Sequence, residues 1–296
     1  MSERGGQRGQ SVLAGSLIFA CRRAHWLSLD VALGAALGVY FFESLIGPPR
    51  SQAALCVATA AWSVYLADHL FDLRRAHPPL SPRRALHARH HRSLCVVAFT
   101  SASAAGALSI ELFSPRELLL GAGYGLLVLL YLVGSDRLAR WRVKELSGAL
   151  LYSVALAIPA LLRLSERGHL ERALPLLLSL AIYLAVAALN LSLFALLDRE
   201  QDQAEGLPSI ALRVSPDRLH RRLIMISLVL CGFILLPQLP LARAERWGLA
   251  LLCGVHFLLT LPPPHRSPTV RRQLADLSFW LPGLSALIGG LFGGRA

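Results

Sequence analysis

Leu189–Leu212, LNLSLFALLDREQDQAEGLPSIAL, begins as an apolar run and ends in acids. Asp198 and Asp202 stand four apart at its mouth, and on a helix that spacing puts both carboxylates on one face. Gly206, four positions further on, reads as the helix stop. Like charges so placed repel unless a cation lies between them. Hard divalent cations are held in this manner by one or two carboxylates, with water and phosphate oxygens completing the shell. An acidic helix end is commonplace by itself, and a second copy of the pattern gives it weight. Asp68 and Asp72, in VYLADHLFDLRRA, are also four apart, also close an apolar run, and precede the first pair by 130 positions at both members.

The rest of the chain is built for lipid. It has 54% hydrophobic and 16% charged residues over 296 positions, with a mean hydropathy of +0.52, which describes an integral membrane protein. A spanning helix takes about 20 apolar residues, and nine candidates appear between Arg-, Pro- or Gly-containing breaks. They are Trp26 to Leu45, Gln52 to Phe71, Leu94 to Phe113, Glu117 to Val133, Leu146 to Leu162, Leu174 to Leu197, Leu223 to Leu236, Trp247 to Leu261 and Leu274 to Leu291. The expected fold class is therefore all-α: a bundle of about nine transmembrane helices around a central cavity. Residues 1–25 read as a Gly- and Arg-rich tail leading into an interfacial helix, and 26–296 as one transmembrane domain.

Basic loops stay on the cytoplasmic side. With the N-terminus inside, the inward segments hold 22 of the 30 Lys and Arg residues, and the outward ones 8. Both aspartate pairs then face the cytoplasm, at the inner membrane of a bacterial cell. The net charge of +12 follows these loops rather than one groove or helix face, so anionic lipid headgroups are the expected partner and nucleic acid is not. The five cysteines are scattered without CxxC spacing, and indicate neither a disulfide framework nor a zinc site.

Together the two acidic stretches resemble the UbiA superfamily of intramembrane prenyltransferases. The pattern of that family is NDxxDxxxD on the second helix and DxxxD followed by xxxG on the sixth. The second motif is matched through Asp198, Asp202 and Gly206, with Ser209 where the family often has Ser or Thr. The first is matched by Asp68 and Asp72, while Val64 and Tyr65 stand where the family has Asn and Asp.

The resemblance implies a nine-helix bundle and an Mg²⁺-dependent enzyme, a transferase moving a prenyl group from a prenyl diphosphate to a hydrophobic, aromatic acceptor. Asp68, Asp72, Asp198 and Asp202 would be its metal and catalytic residues. Two other readings stay open: a terpene cyclase of the same fold, which ionises the same diphosphate without an acceptor, and a non-catalytic membrane carrier or scaffold.

Candidates for substrate contact surround the acids. Tyr65 either lines the pocket or is an interfacial aromatic. Arg75 belongs to the Arg-rich loop 74–92, which in the family caps the site, and arginines suit a diphosphate. Lys144, at the head of the fifth span, is the best single cation for the same task, and Tyr152 lies two turns beyond it. Asn190 lies two turns before Asp198, and a buried Asn in lipid needs a partner. Asp30 either faces a partner or serves the helix dipole, and Asp276 with Trp280 is a candidate pocket lining.

Overall fold

In the computed structural model, residues 23–78, 80–141, 143–167, 170–261 and 267–292 are described. The tail and most of the expected interfacial helix lie outside them. The elements among the described residues are helical. In order they are α1 (Leu29–Ser44), α2 (Ser51–Leu73), α3 (Pro82–Arg89), α4 (His91–Leu112), α5 (Pro115–Arg140), α6 (Lys144–Arg167), α7 (Ala173–Leu197), α8 (Arg199–Ala204), α9 (Pro216–Ile234), α10 (Arg243–Thr260), α11 (Pro268–Ser278) and α12 (Leu281–Phe292).

In hydrocarbon every backbone polar group must be satisfied within the segment, so apolar runs become helices. Their starts carry the expected signals. Ser81, Ser114 and Ser267 each accept a backbone N–H of the first turn, and each is followed by Pro at the first helical position, where its missing N–H costs nothing. Ser114 and Glu117 complete a reciprocal capping box.

Among the described residues, six segments are long and apolar enough to cross a bilayer: α2, α4, 115–135 of α5, 144–166 of α6, α7, and 268–291 across α11 and α12. The other three expected spans fall on α1, α9 and α10, which are helical but do not meet that standard of length and apolarity. The expected last span is divided: α11 ends at Ser278 and α12 begins at Leu281. Pro282 has no N–H to give to the carbonyl four residues back, and the chain turns just before it.

The surface is inverted relative to a water-soluble protein. Leu119, Leu126, Leu130 and Val133 of α5, with Met225 and Val229 of α9, are all more than half exposed, as lipid-facing side chains should be. The interior is held by close approach. Phe41 and Phe42 of α1, Leu156 of α6, Tyr183 of α7 and Leu249 of α10 are fully buried in one cluster. Gly283 faces the α1 backbone so closely that a Cβ there would meet Leu37 O at 2.3 Å, a use of small residues common between membrane helices.

Within this bundle α2 packs against α1 and α4, α6 against α7, and α10 against α12. The acidic ends of α2 and α7 lie at one end of the bundle. At the other, the buried Glu43 is gripped by Arg50 at 2.8 Å and Arg163 at 3.8 Å.

Candidate functional site

Asp68, Asp72, Asp198 and Asp202 line a single polar cavity of about 180 Å³. The helices carrying them are built differently. Asp68 and Asp72 lie inside α2, which continues to Leu73. On the other side α7 stops at Leu197, Asp198 is the junction residue, and α8 carries Asp202. The Asp202 N–H still reaches back to Asp198 O at 2.8 Å, so the two carboxylates remain one turn apart. Gly206 ends the segment at φ +71°, where the Leu207 N–H reaches Asp202 O at 2.8 Å and the Gly206 N–H reaches Gln203 O at 3.4 Å. That is a Schellman stop, and Gly is the residue suited to its left-handed position.

Asp72, Asp198 and Asp202 meet protein cations. Arg272 of α11 pairs with Asp198 and packs its guanidinium 4.4 Å from the centre of the Phe194 ring. Arg84 of α3 contacts Asp202 at 3.3 Å and also pairs with Glu205. Lys144 lies 3.7 Å and Arg75 3.9 Å from Asp72. Burial and the neighbouring Asp198 charge push the Asp202 carboxyl up to about 6, against the pull of Arg84. Arg83, on the cavity wall, is pushed down to about 10 by burial and by Arg272, which leaves it charged at neutral pH.

Glu205 is fully buried and organises the loop before α3. Its carboxylate accepts the Ser81 N–H at 2.6 Å and the Gln201 side-chain N–H at 3.0 Å, while its carbonyl accepts the His77 N–H at 3.0 Å. A buried carboxylate so fully hydrogen-bonded fixes the Arg84 loop over the acids. Behind this loop, His87 stacks on His69 with centroids 5.1 Å apart, and its Nε2 donates to Trp26 O at 2.9 Å. Burial is the chief cause that pushes the His87 imidazole down to about 4, so it is neutral and that tautomer is the donor. Ser28, also on the cavity wall, holds a left-handed φ of 57°. Non-glycine residues rarely adopt it without compensation, and the Ser28 Oγ lies 3.2 Å from His69 Nε2.

A larger cavity adjoins the polar one. Tyr65 and Asp68 line both, and the second, about 610 Å³, is walled by apolar residues of α2, α4, α5 and α6. Tyr65 meets Tyr152 edge to face at 6.2 Å, and Tyr152 meets Phe279 in the same way at 6.1 Å. Of the sequence candidates, Tyr65, Lys144, Asn190 and Asp276 line the polar cavity with the four aspartates. Tyr152 lines the apolar one. Arg75 stands behind the site, donating to Ser135 Oγ at 2.8 Å. Sequence reading did not single out Arg83, Arg84, Arg272 or Glu205. A run of basic residues is read as topology, and only the fold turns three of these arginines inward.

This fold and site define a class: an all-α integral membrane protein whose charged cavity, at one end of the bundle, adjoins an apolar one. More particularly, the fold is similar to the apo structure of a UbiA homolog from Aeropyrum pernix K1, with a TM-score of 0.55 over 88% of this chain and 95% of that one, at 17% identity. At that identity the likeness is one of fold. No protein-family model and no curated protein matches the chain.

Proposed function

We propose that this protein is a divalent-cation-dependent prenyltransferase acting within the membrane. The observation that carries the reading is the pair of adjoining cavities. One is lined by six carboxylates, the four paired aspartates among them, and by four cationic side chains; the other is apolar, and Tyr65 and Asp68 line both. An amphiphile with a multiply charged head and a hydrocarbon tail, a prenyl diphosphate, fits this shape.

The residues present fit Mg²⁺. Four carboxylates and the buried Ser209 Oγ, which has no hydrogen-bond partner, offer only oxygen donors at the cavity wall, the set a hard cation takes. Asp68 and Asp72 would hold it on one side, Asp198 and Asp202 on the other. When bound, the ion neutralises the charge that develops on the leaving diphosphate.

The chain supplies the rest. Lys144 and Arg83 are placed to donate to diphosphate oxygens, and their charge favours departure of the leaving group. Arg84 and Arg272 hold Asp202 and Asp198 in place. The tail lies in the apolar cavity, and the Tyr65, Tyr152 and Phe279 rings exclude water beside the allylic carbon while offering π faces to its positive charge. The acceptor is hydrophobic and reaches the site from the bilayer. The basic asymmetry of the loops supports a cytoplasmic position for the aspartates, in a bacterial inner membrane.

The ring cluster favours a second reading, cyclisation of the prenyl chain, because Tyr65, Tyr152, Tyr183 and Phe279 form a continuous aromatic wall. Purified protein with labelled prenyl diphosphates and Mg²⁺ decides between them. Pyrophosphate release that needs an aromatic acceptor supports transfer, and release with a hydrocarbon or terpene alcohol supports cyclisation. No release from any chain length defeats both.

A further inference from the structure

Beside the four aspartates lies a second group of ligating side chains from three separate segments. His25 precedes α1, Asp30 lies in its first turn, and Asp276 comes from α11. His25 Nδ1 is 2.6 Å from Asp30 Oδ2 and 3.6 Å from Asp276 Oδ2, and one donor atom from each residue fits within 4.8 Å of the others. Adjacent donors around an ion with bonds of about 2.1 Å stand about 3.0–3.4 Å apart in octahedral or tetrahedral geometry. The two observed separations bracket that range.

The charges around the group do not balance. Both acid side chains are only 10% exposed. A neutral His25 leaves two negative charges beside it, and a protonated one leaves one. The further cation in the field of Asp276 is Arg272, which is engaged with Asp198. Two carboxylates withdrawn from water with so little compensation are costly.

A separate observation points to a ligand. Asn190, 6% exposed, lines the same cavity and donates its Nδ2 to Asp276 Oδ1 at 3.3 Å. Its Oδ1 is buried with no hydrogen-bond partner, and a buried amide oxygen normally has one. The group is also held in place: Trp280 Nε1 donates to Asp30 O at 2.9 Å, and Asp30 Oδ1 accepts the Val31 N–H at 3.0 Å.

We propose that His25, Asp30, Asp276 and the Oδ1 of Asn190 form a second divalent-cation site, separate from the four aspartates and selective for a first-row transition ion of the Zn²⁺ kind. The imidazole decides the selectivity. Mg²⁺ takes oxygen donors, whereas a mixed set of one nitrogen and several oxygens suits Zn²⁺ or Co²⁺. Such an ion ties the segment before α1 to α11 at the wall of the polar cavity. The site does not depend on what the cavity catalyses.

The test uses full-length protein in detergent, with millimolar Mg²⁺ present to saturate the aspartate pairs, and Co²⁺ as probe. Visible absorption should report one equivalent of bound Co²⁺, displaced by Zn²⁺ and resistant to Mg²⁺. His25→Ala and Asp276→Asn should each weaken binding by more than about tenfold, while Asp198→Asn with Asp202→Asn leaves it intact. His25→Asp, which keeps a ligand of oxygen type, should still bind but now yield to Mg²⁺, so a result does not hang on one variant folding. The proposal is overturned if no Mg²⁺-resistant binding is seen, if His25→Ala and Asp276→Asn bind as well as the parent, or if the Asp198 and Asp202 changes abolish the signal. Because the readout is metal binding, it stands whether or not the protein releases pyrophosphate.

Discussion

The two aspartate pairs share one spacing, yet the fold treats them differently. Asp68 and Asp72 sit on an unbroken helix, and their cations, Lys144 and Arg75, approach Asp72 no nearer than 3.7 and 3.9 Å. Asp198 and Asp202 straddle a helix break and are gripped by Arg272 and Arg84, the latter shared with the buried Glu205. The first pair is carried by its helix and the second by side chains from α3 and α11. Identical spacing therefore predicts a shared face but not a shared degree of confinement. The second pair should be more sensitive to its surroundings, and the first more tolerant.

The largest effect should come from the acids themselves. Asp198→Asn with Asp202→Asn keeps the shape of both side chains and removes the charge that holds a cation. Mg²⁺-dependent pyrophosphate release should fall by about two to three orders of magnitude, with helix content by circular dichroism unchanged. Asp68→Asn with Asp72→Asn should fall comparably. Near-normal turnover in either double variant would remove that pair from the metal site and end the symmetry of the proposal.

Next in size is the clamp. Arg84→Leu leaves Glu205, which is fully buried, without its cation, and breaking a buried pair from one side costs about 3–5 kcal/mol. Arg75→Ala, at a half-buried and longer contact with Asp72, should cost less, about 1 kcal/mol. Denaturation in detergent measures both. Equal losses would show that the two pairs are supported alike.

His87 gives the clamp a pH dependence. Its imidazole is pushed from about 6.5 down to about 4, so the unfolded chain takes up a proton that the folded chain refuses. The stability this represents is present above about 6.5 and is lost as pH falls toward 4, amounting to about 3 kcal/mol at most. His87→Phe keeps the stacking on His69 and should flatten the melting temperature across that window. A parent whose stability does not fall on acidification would place the titration elsewhere.

Much of this was readable from the chain. Apolar runs marked the helices, and periodicity alone put each aspartate pair on one face. Gly206 was readable as a stop because its backbone demands a positive φ. The arginine clamps were not readable: Arg84 and Glu205 lie 121 positions apart, Arg272 and Asp198 74 apart, and each arginine looked like one more inward loop charge. Pro282 did carry a signal for the break in the last span, but the apolar run around it reads as continuous. Of the group at His25, Asp30 and Asp276, only the two acids stood out in the sequence, and separately, because nothing in spacing brings α11 to the start of α1.

The smallest effect concerns Val64 and Tyr65, where the first pair lacks two ligating residues of the motif it otherwise resembles. The fold separates their roles. Tyr65 stands at the junction of both cavities, while Val64 lines only the apolar one. Tyr65→Asp should therefore add a carboxylate where the cation would lie, lowering the Mg²⁺ concentration for half-maximal rate a few-fold, since one further carboxylate is the kind of change that tunes a hard-cation site. Val64→Asn should not help, because it places an amide among apolar side chains and costs about 1–3 kcal/mol of stability if unpaired. If Tyr65→Asp instead lowers turnover sharply with the Mg²⁺ requirement unchanged, the ring is needed beside the reacting carbon. The aromatic wall, rather than a weaker metal site, would then be what distinguishes the first pair from the second.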